Sequence, residues 1–425
     1  MHFHIISILP EYFTSPLSCG LLGKAIDNGI ISTSMIYPRD FTHDRHSTVD
    51  DRPYGGGPGM VMKVDPLLQA IQSLPQGCTT VLLTPKGKPL SHSTACRLSL
   101  HNNIALICGR YEGIDARLED LAELELISAG DFVLNGGEAA ALCLMEAVAR
   151  FLPGFMGKEE SVGEESFSHG LLEYPHYTRP EIFQNKEVPE VLLSGHHGRI
   201  ERWRRDRSLE NTLNNRPELL DKTILSSQDT SFLKSVQRAK PSRNLYLTLL
   251  HWPVLNKFGK SGTTSLTNLD IHDIARVSET FGLGGYYICT PLKDQQLLAE
   301  RLITHWTTGP GSRGNPDRAA ALSRIRVASN INEAIKSIEE KTGARPHIVA
   351  TSARGDGDAT YQQVRETLSK RPVLLVLGTG HGLSPDIMDM ADNFLRPVRY
   401  LSSFNHLSVR SAASIMVDRL IGDYL

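Results

Sequence analysis

Short uninterrupted apolar runs recur along this chain, and most end in glycine or proline. Ile104–Cys108 stops at Gly109-Arg110-Tyr111-Glu112-Gly113, and Leu124–Ile127 leads into Ser128-Ala129-Gly130-Asp131-Phe132-Val133-Leu134-Asn135-Gly136-Gly137-Glu138. Runs this short, apolar on both faces, predict buried strands of a parallel sheet. Residues 3–9, Thr33–Tyr37 and Thr80–Leu83 read the same way. Helical patterns separate them: Pro16–Asn28 closed by Gly29, Asp65–Ser73, Ser91–Leu100, and Glu138–Phe151, apolar enough to be buried. This alternation of strand and helix is that of an α/β domain.

The pattern returns near the carboxyl end. Arg371–Leu377 is another buried-strand run, ending at Gly378-Thr379-Gly380-His381-Gly382-Leu383, and Val398-Arg399-Tyr400-Leu401 leads to Asn405-His406-Leu407-Ser408-Val409-Arg410-Ser411-Ala412-Ala413. Gly109 and Asn135 stand 26 positions apart, Gly378 and Asn405 27, and an alanine-rich helix follows each asparagine. Ser226–Arg243, rich in serine and polar groups, reads as an interdomain linker. Thr307–Pro316 reads as a glycine-rich loop without an assignable role.

A length of 425 residues predicts two or three domains. With 40% hydrophobic and 22% charged residues the chain matches soluble globular proteins, and it has no apolar run of about 18 residues to span a membrane. Met1-His2-Phe3-His4 has no basic lead, which argues against a signal peptide. Six scattered cysteines without a C-x-x-C pair read as buried free thiols in a reducing cytoplasm. A net charge of -2 gives no global attraction to nucleic acid, so such a partner has to be met by a local patch.

In parallel sheets ligands sit outside the carboxyl ends of the strands, and glycines there let the backbone approach them. The two turns after Cys108 and Ile127 therefore suggest one ligand cradle, against the plainer reading of two tight strand-to-helix turns. They match neither G-x-G-x-x-G nor G-x-x-x-x-G-K-S/T, which excludes the usual dinucleotide and phosphate loops. Arg39–Met60, with three arginines, two histidines and Tyr54 beside glycines, suits an anionic aromatic substrate, or is a mobile surface loop. Arg199–Arg207 sets five arginines around Trp203 with few acids to balance them, which suits phosphate contact. Arg150 stands four residues after Glu146, as an intrahelical ion pair or as a functional arginine.

Gly-Arg-Tyr-Glu-Gly at 109–113, Gly-Asp-Phe-Val-Leu-Asn-Gly-Gly-Glu at 130–138, Pro-Arg-Asp-Phe-Thr-His-Asp-Arg-His at 38–46 and Asp-Asp-Arg-Pro-Tyr-Gly-Gly-Gly-Pro-Gly-Met at 50–60 closely resemble the bacterial tRNA (guanine-N1)-methyltransferase family. So do Pro175–Pro180 and Val191–Gly195, and the resemblance runs from residue 1 to about 225. It implies the SPOUT fold, an α/β domain whose parallel sheet is threaded into a trefoil knot, over 1–160, with a linker and small helical tRNA-binding extension over 161–230. It also implies methyl transfer from S-adenosylmethionine to N1 of guanosine 37 in tRNA, a homodimer with its site at the subunit interface, and a use of magnesium without a dedicated protein cage. The cradle for the methyl donor then falls on Gly109, Ala129, Gly130, Asp131, Phe132, Val133 and Leu134, with Pro85, Tyr111 and Gly136 close by. The run Asn-x-Leu-Ser-Val-x-Ser-Ala-Ala at 405–413 resembles the last motif of other SPOUT RNA methyltransferases. It implies a second SPOUT-like α/β domain over 243–425, expected to hold its own S-adenosylmethionine.

The family's arginine matches Arg150, and its catalytic aspartate matches Glu165, a departure from the pattern. N1 of guanine must lose a proton as the methyl arrives, so a carboxylate within reach is the natural base. Arg150 would meet the charge growing on O6. Glutamate offers the same chemistry on a stem one methylene longer, with Glu164 as the spare. The rival from another class is a non-catalytic binder of S-adenosylmethionine and RNA with an impaired base; a nucleotide-dependent dehydrogenase is remote without its fingerprint.

Overall fold

The computed structural model describes residues 1–156, 165–236, 241–353, 357–399, 401 and 404–422. The chain divides into two compact units, Met1–Leu225 and Ser226–Leu425.

In the first unit, strands β1 (His2–Ile6), β2 (Ser32–Ile36), β3 (Thr79–Pro89), β4 (Asn103–Cys108) and β5 (Glu125–Ser128) form one parallel sheet in the order β2-β1-β4-β3-β5. The central β4 buries Ile104 through Cys108 completely, which is why that run carries no polar residue. Each such Ile or Leu contributes about 1.5–3 kcal/mol of transfer free energy. β3 runs past the expected Leu83 to Pro89, through a shift in register against β5 between Leu83 and Lys88. A Cβ at Gly87 would stand 2.5 Å from the Ile127 nitrogen, so only glycine permits this crossing. Helix α1 (Glu138–Ala149) covers the sheet with Ala141, Leu144, Met145 and Val148, yet Cys143 and Glu146 are exposed, so the helix is not buried all round. Helix α2 (His197–Asn215) forms the extension.

Several boundaries differ from the sequence reading. The helix over Pro16–Asn28 is two, Thr14–Ser18 and Gly20–Asp27, because Cys19 is extended and Gly20 takes φ +63°. The supposed linker contains a helix, Ser227–Ser235, started by a capping box between Ser226 and Asp229. Thr307–Pro316 holds a helical turn at Gly311–Gly314. Cys108 and Cys289 are buried, whereas Cys19, Cys96 and Cys143 are exposed. Among the described residues no helix is long and apolar enough to cross a membrane.

The second unit contains β6 (Leu245–Leu250), β7 (Gly285–Cys289), β8 (Ile325–Ala328), β9 (His347–Thr351), β10 (Val373–Gly378) and β11 (Asn393–Leu395) in the parallel order β8-β7-β6-β10-β9-β11. Remove the edge strand β8 and the order is that of the first sheet: β7, β6, β10, β9 and β11 take the places of β2, β1, β4, β3 and β5. Helices α3 (Asn268–Thr280) and α4 (Val409–Leu420) pack on one face of it.

Candidate active site

The middle of β3, Leu82–Lys86, and the carboxyl ends of β4 and β5 open onto a cavity of about 420 Å³. The turn after β4 is bent by Tyr111 at φ +60° and Gly113 at φ +128°, and an antiparallel bridge joins Arg110 to Gly136. Gly137 donates its N–H to the Gly109 carbonyl at 2.9 Å, and a Cβ on Gly137 would lie 2.7 Å from Cys108 Cα. The start of α1 is thus pressed against the end of β4, and a side chain at Gly137 would push them apart. Beneath this contact Glu138, 1% exposed, accepts from Ser7 Oγ at 2.7 Å and from Arg110 Nε at 3.0 Å. A buried carboxylate is tolerated only when so satisfied, and this one ties β1, the turn after β4 and α1 together. Burial beside Glu138 pushes the Cys108 thiol well up, which leaves it inert. The loop from Arg39 closes on the same turn: Glu112 donates to the Met60 carbonyl, Met62 donates to that of Gly113, and Asp44 accepts from the His46 and Thr48 backbones. It also carries the fully exposed Tyr54.

Arg150 caps the carboxyl end of α1 and forms an ion pair with Glu165, not with Glu146. The segment holding Glu165 is fastened to the extension. Leu172 donates to Thr212 Oγ1 at 2.9 Å, Asn211 donates to the Glu173 carbonyl at 3.0 Å, and Ser166 Oγ accepts from the Glu173 nitrogen. Arg150 and Glu165 line a second cavity with Ser91, His92, Phe151 and Phe167, and this cavity shares no lining residue with the cradle.

In the second unit the carboxyl ends of β6, β9 and β10 surround a cavity of about 640 Å³ lined by His251, Asp270, the turn Gly378–Gly382 and Asn405–Val409. The glycine-rich turn after β10 and the run that starts at Asn405, both singled out in the tail, therefore meet at one site. Gly380 stands at φ +63°, and a Cβ there would lie 3.0 Å from the Leu255 carbonyl and 3.2 Å from Thr264.

Two family descriptions match this arrangement half by half: tRNA (Guanine-1)-methyltransferase TrmD over residues 1–222, and SAM-dependent RNA methyltransferase over 244–422. Proteins named tRNA (guanine-N(1)-)-methyltransferase from Oleidesulfovibrio alaskensis and Nitratidesulfovibrio vulgaris are 56% and 55% identical, each over 100% of both chains. The chain belongs to the tRNA (guanine-N1)-methyltransferase family. A namesake from Serratia marcescens is 47% identical over 57% of this chain and 97% of its own length, so that relative matches without the second unit.

Of the cradle residues carried over from the tRNA (guanine-N1)-methyltransferase family, Gly109, Ala129, Phe132, Val133 and Leu134 line the first cavity, as do Pro85, Tyr111 and Gly136. Gly130 and Asp131 lie in the same turn without lining it. A Cβ at Gly109 would meet only Ile114, at 3.5 Å, so this glycine is not kept by crowding. Arg202 and Arg207 pair with Asp206 and Glu210 along α2, and Arg204 lies 4.8 Å from the Tyr174 ring centroid. That corrects the unbalanced positive face expected from sequence: these arginines are half-buried and partnered. Glu164, the spare base, lies outside the described residues. Among the described residues no group of three or more His, Cys, Asp or Glu is placed to hold a metal, so magnesium is assigned no step. The Ser7–Glu138–Arg110 tie escaped the sequence reading, since 131 residues separate Ser7 from Glu138 and no local spacing announces them.

Proposed function

We propose that this chain transfers the methyl group of S-adenosylmethionine to N1 of guanosine 37 in tRNA, and does so as a homodimer. The observation that carries this reading is the ion pair of Arg150 with Glu165. In the free chain each side chain satisfies the other. An incoming guanine takes over both: its N1–H goes to the carboxylate and its O6 to the guanidinium. The rival reading of an impaired base is not favoured, because the longer glutamate reaches Arg150 and the full-length relatives bear methyltransferase names.

When bound, S-adenosylmethionine supplies an electrophilic methyl on a cationic sulfur. Gly109, Ala129, Phe132, Val133 and Leu134 would hold it, while Gly130 and Asp131 shape the turn. The dimer is supported by the separation of the two cavities, since a site needing both cradle and base is completed by a second copy. The exposed apolar Tyr111, Phe132, Val133 and Leu134 on the cradle turns offer that copy a surface. We further infer that the first sheet is knotted in the SPOUT manner, in keeping with its non-sequential strand order. In this division of labour residues 1–160 hold the donor, 161–230 the tRNA, and 243–425 a second methyltransferase domain, all in the cytoplasm.

Incubation with donor and a tRNA transcript bearing guanosine 37 should give 1-methylguanosine at that position in nuclease digests, and none with adenosine 37. Absence of 1-methylguanosine at position 37 overturns the reading.

A further inference from the structure

The cavity of the second unit contains a histidine whose tautomer is fixed by its neighbours. His251 follows β6 and is 1% exposed; its N–H donates to the Cys289 carbonyl and its carbonyl accepts from Thr264 N–H, each at 2.9 Å. Thr379 Oγ1 donates to the Leu250 carbonyl at 2.9 Å, which spends its only hydrogen. Thr264 Oγ1 is hydrogen-bonded to Thr379 Oγ1 and so must be the donor between them. Its own hydrogen then being spent, Thr264 can only accept from His251 Nδ1, 3.1 Å away. The proton of the neutral imidazole is therefore on Nδ1, and Nε2 carries a bare lone pair. That atom is buried and has no hydrogen-bond partner among the described residues. Buried acceptors are rarely left unmet without a reason.

We propose that His251 is the proton acceptor of a second methyl-transfer centre in this unit, facing a hydroxyl or ring N–H of an RNA nucleotide; this rests on the reading that the unit takes S-adenosylmethionine. His251 stands at the end of β6, beside the turn that contains Gly380, and lines the cavity together with Asn405. In the transfer, the nucleotide's lone pair forms a bond to the methyl carbon and the carbon–sulfur bond breaks with its electrons kept by sulfur. The nucleotide's proton passes to Nε2 and leaves to water with the product. One positive charge is lost at sulfur as one appears on the imidazole, so the net charge of the cavity does not change. Asp270, which lines the same cavity and is held by Thr267 and by Arg410 at 3.2 Å, opposes the new imidazolium charge. Burial alone keeps the ring neutral beforehand, with its pKa lowered to about 4.

The test uses the full chain with Glu165→Gln, expected to slow the first unit by roughly 10²–10⁴, tritiated S-adenosylmethionine, and bulk tRNA and ribosomal RNA from cells depleted of this protein. Methyl incorporation should persist, and His251→Asn, which keeps a donor toward Thr264 but lacks the Nε2 lone pair, should lower it by about 10²-fold or more. Nucleoside digests then separate base methylation from 2′-O-methylation. Nitrogen-15 spectra of the histidines supply a readout apart from activity: His251 should show a protonated Nδ1 and a bare Nε2, and Thr264→Val should release that preference. Calorimetry with S-adenosylhomocysteine should count one molecule per unit in parent and His251→Asn alike. No incorporation in the Glu165→Gln chain, incorporation unchanged by His251→Asn, or a protonated Nε2 would each overturn the proposal. A single bound molecule per chain would remove the underlying reading, whereas a full count with unchanged incorporation removes His251 alone.

Discussion

Glu165, the base proposed above, lies in a segment, residues 165–173, that is tied to Thr212 and Asn211 on α2. Glu165→Gln keeps the size and the contact with Arg150 but cannot take the N1 proton. Single-turnover methylation should fall by roughly 10²–10⁴ with both substrate affinities nearly intact. Glu165→Asp should stay active, and Glu164→Gln should change little; a dead Glu164→Gln with an unaffected Glu165→Gln would move the base by one position. At Gly137 the constraint is steric. Gly137→Ala places its methyl against Cys108 backbone, which cannot yield without parting β4 from α1, and the expected loss is about 1–3 kcal/mol in urea unfolding. His251 ties stability to pH. Its folded pKa of about 4 lies below the 6.5 of an open imidazole, so between these values the unfolded chain binds more protons. Its contribution is complete above pH 6.5 and is lost as pH falls toward 4, by roughly 3 kcal/mol if no other group relaxes. Unfolding curves of parent and His251→Asn should therefore converge with falling pH; a constant gap would contradict this origin.

At the scale of elements, the strands were legible because burial on both faces leaves a bare apolar run, as in Ile104–Cys108 and Val373–Leu377. What escaped were features set by single backbone angles or distant contacts. The break at Cys19–Gly20 and the continuation of β3 to Pro89 depend on a φ value and on a crossing beside Ile127. The arginines of α2 were read as phosphate contacts with few acids to balance them; Asp206 and Glu210, one helical turn after Arg202 and Arg207, were legible as partners and were underweighted, whereas the stacking of Arg204 on Tyr174 is a contact that no spacing shows. This changes the expected salt dependence of tRNA binding. Paired arginines already have carboxylate counterions, so replacing Arg202 and Arg207 together by alanine should lower the slope of log affinity against log salt by well under the ~1.8 expected for two full phosphate contacts. A fluorescence titration over a range of salt concentrations measures it, and the full drop would show that tRNA pulls both pairs apart.

The whole molecule repeats one sheet order in two units, and the repeated glycine-to-asparagine spacing in the sequence foreshadowed that repetition. The cavity of the first unit was legible as two glycine-rich turns; that Glu165, the proposed base, lines another cavity was not, because no local spacing shows which cavity a distant segment reaches. Subunit mixing tests this directly. Gly109→Phe should block the cradle, since the Cβ is tolerated beside Ile114 and the ring has the cavity to fill. Glu165→Gln removes the base, so each variant alone should be inactive. Co-expressed with different tags and purified as the mixed dimer, they should regain about half of the parent rate, because one of the two composite sites in a twofold dimer is intact. A mixed dimer that binds donor and tRNA yet stays inactive would mean that Arg150 and Glu165 serve the cradle of their own chain, contrary to the dimer proposed above.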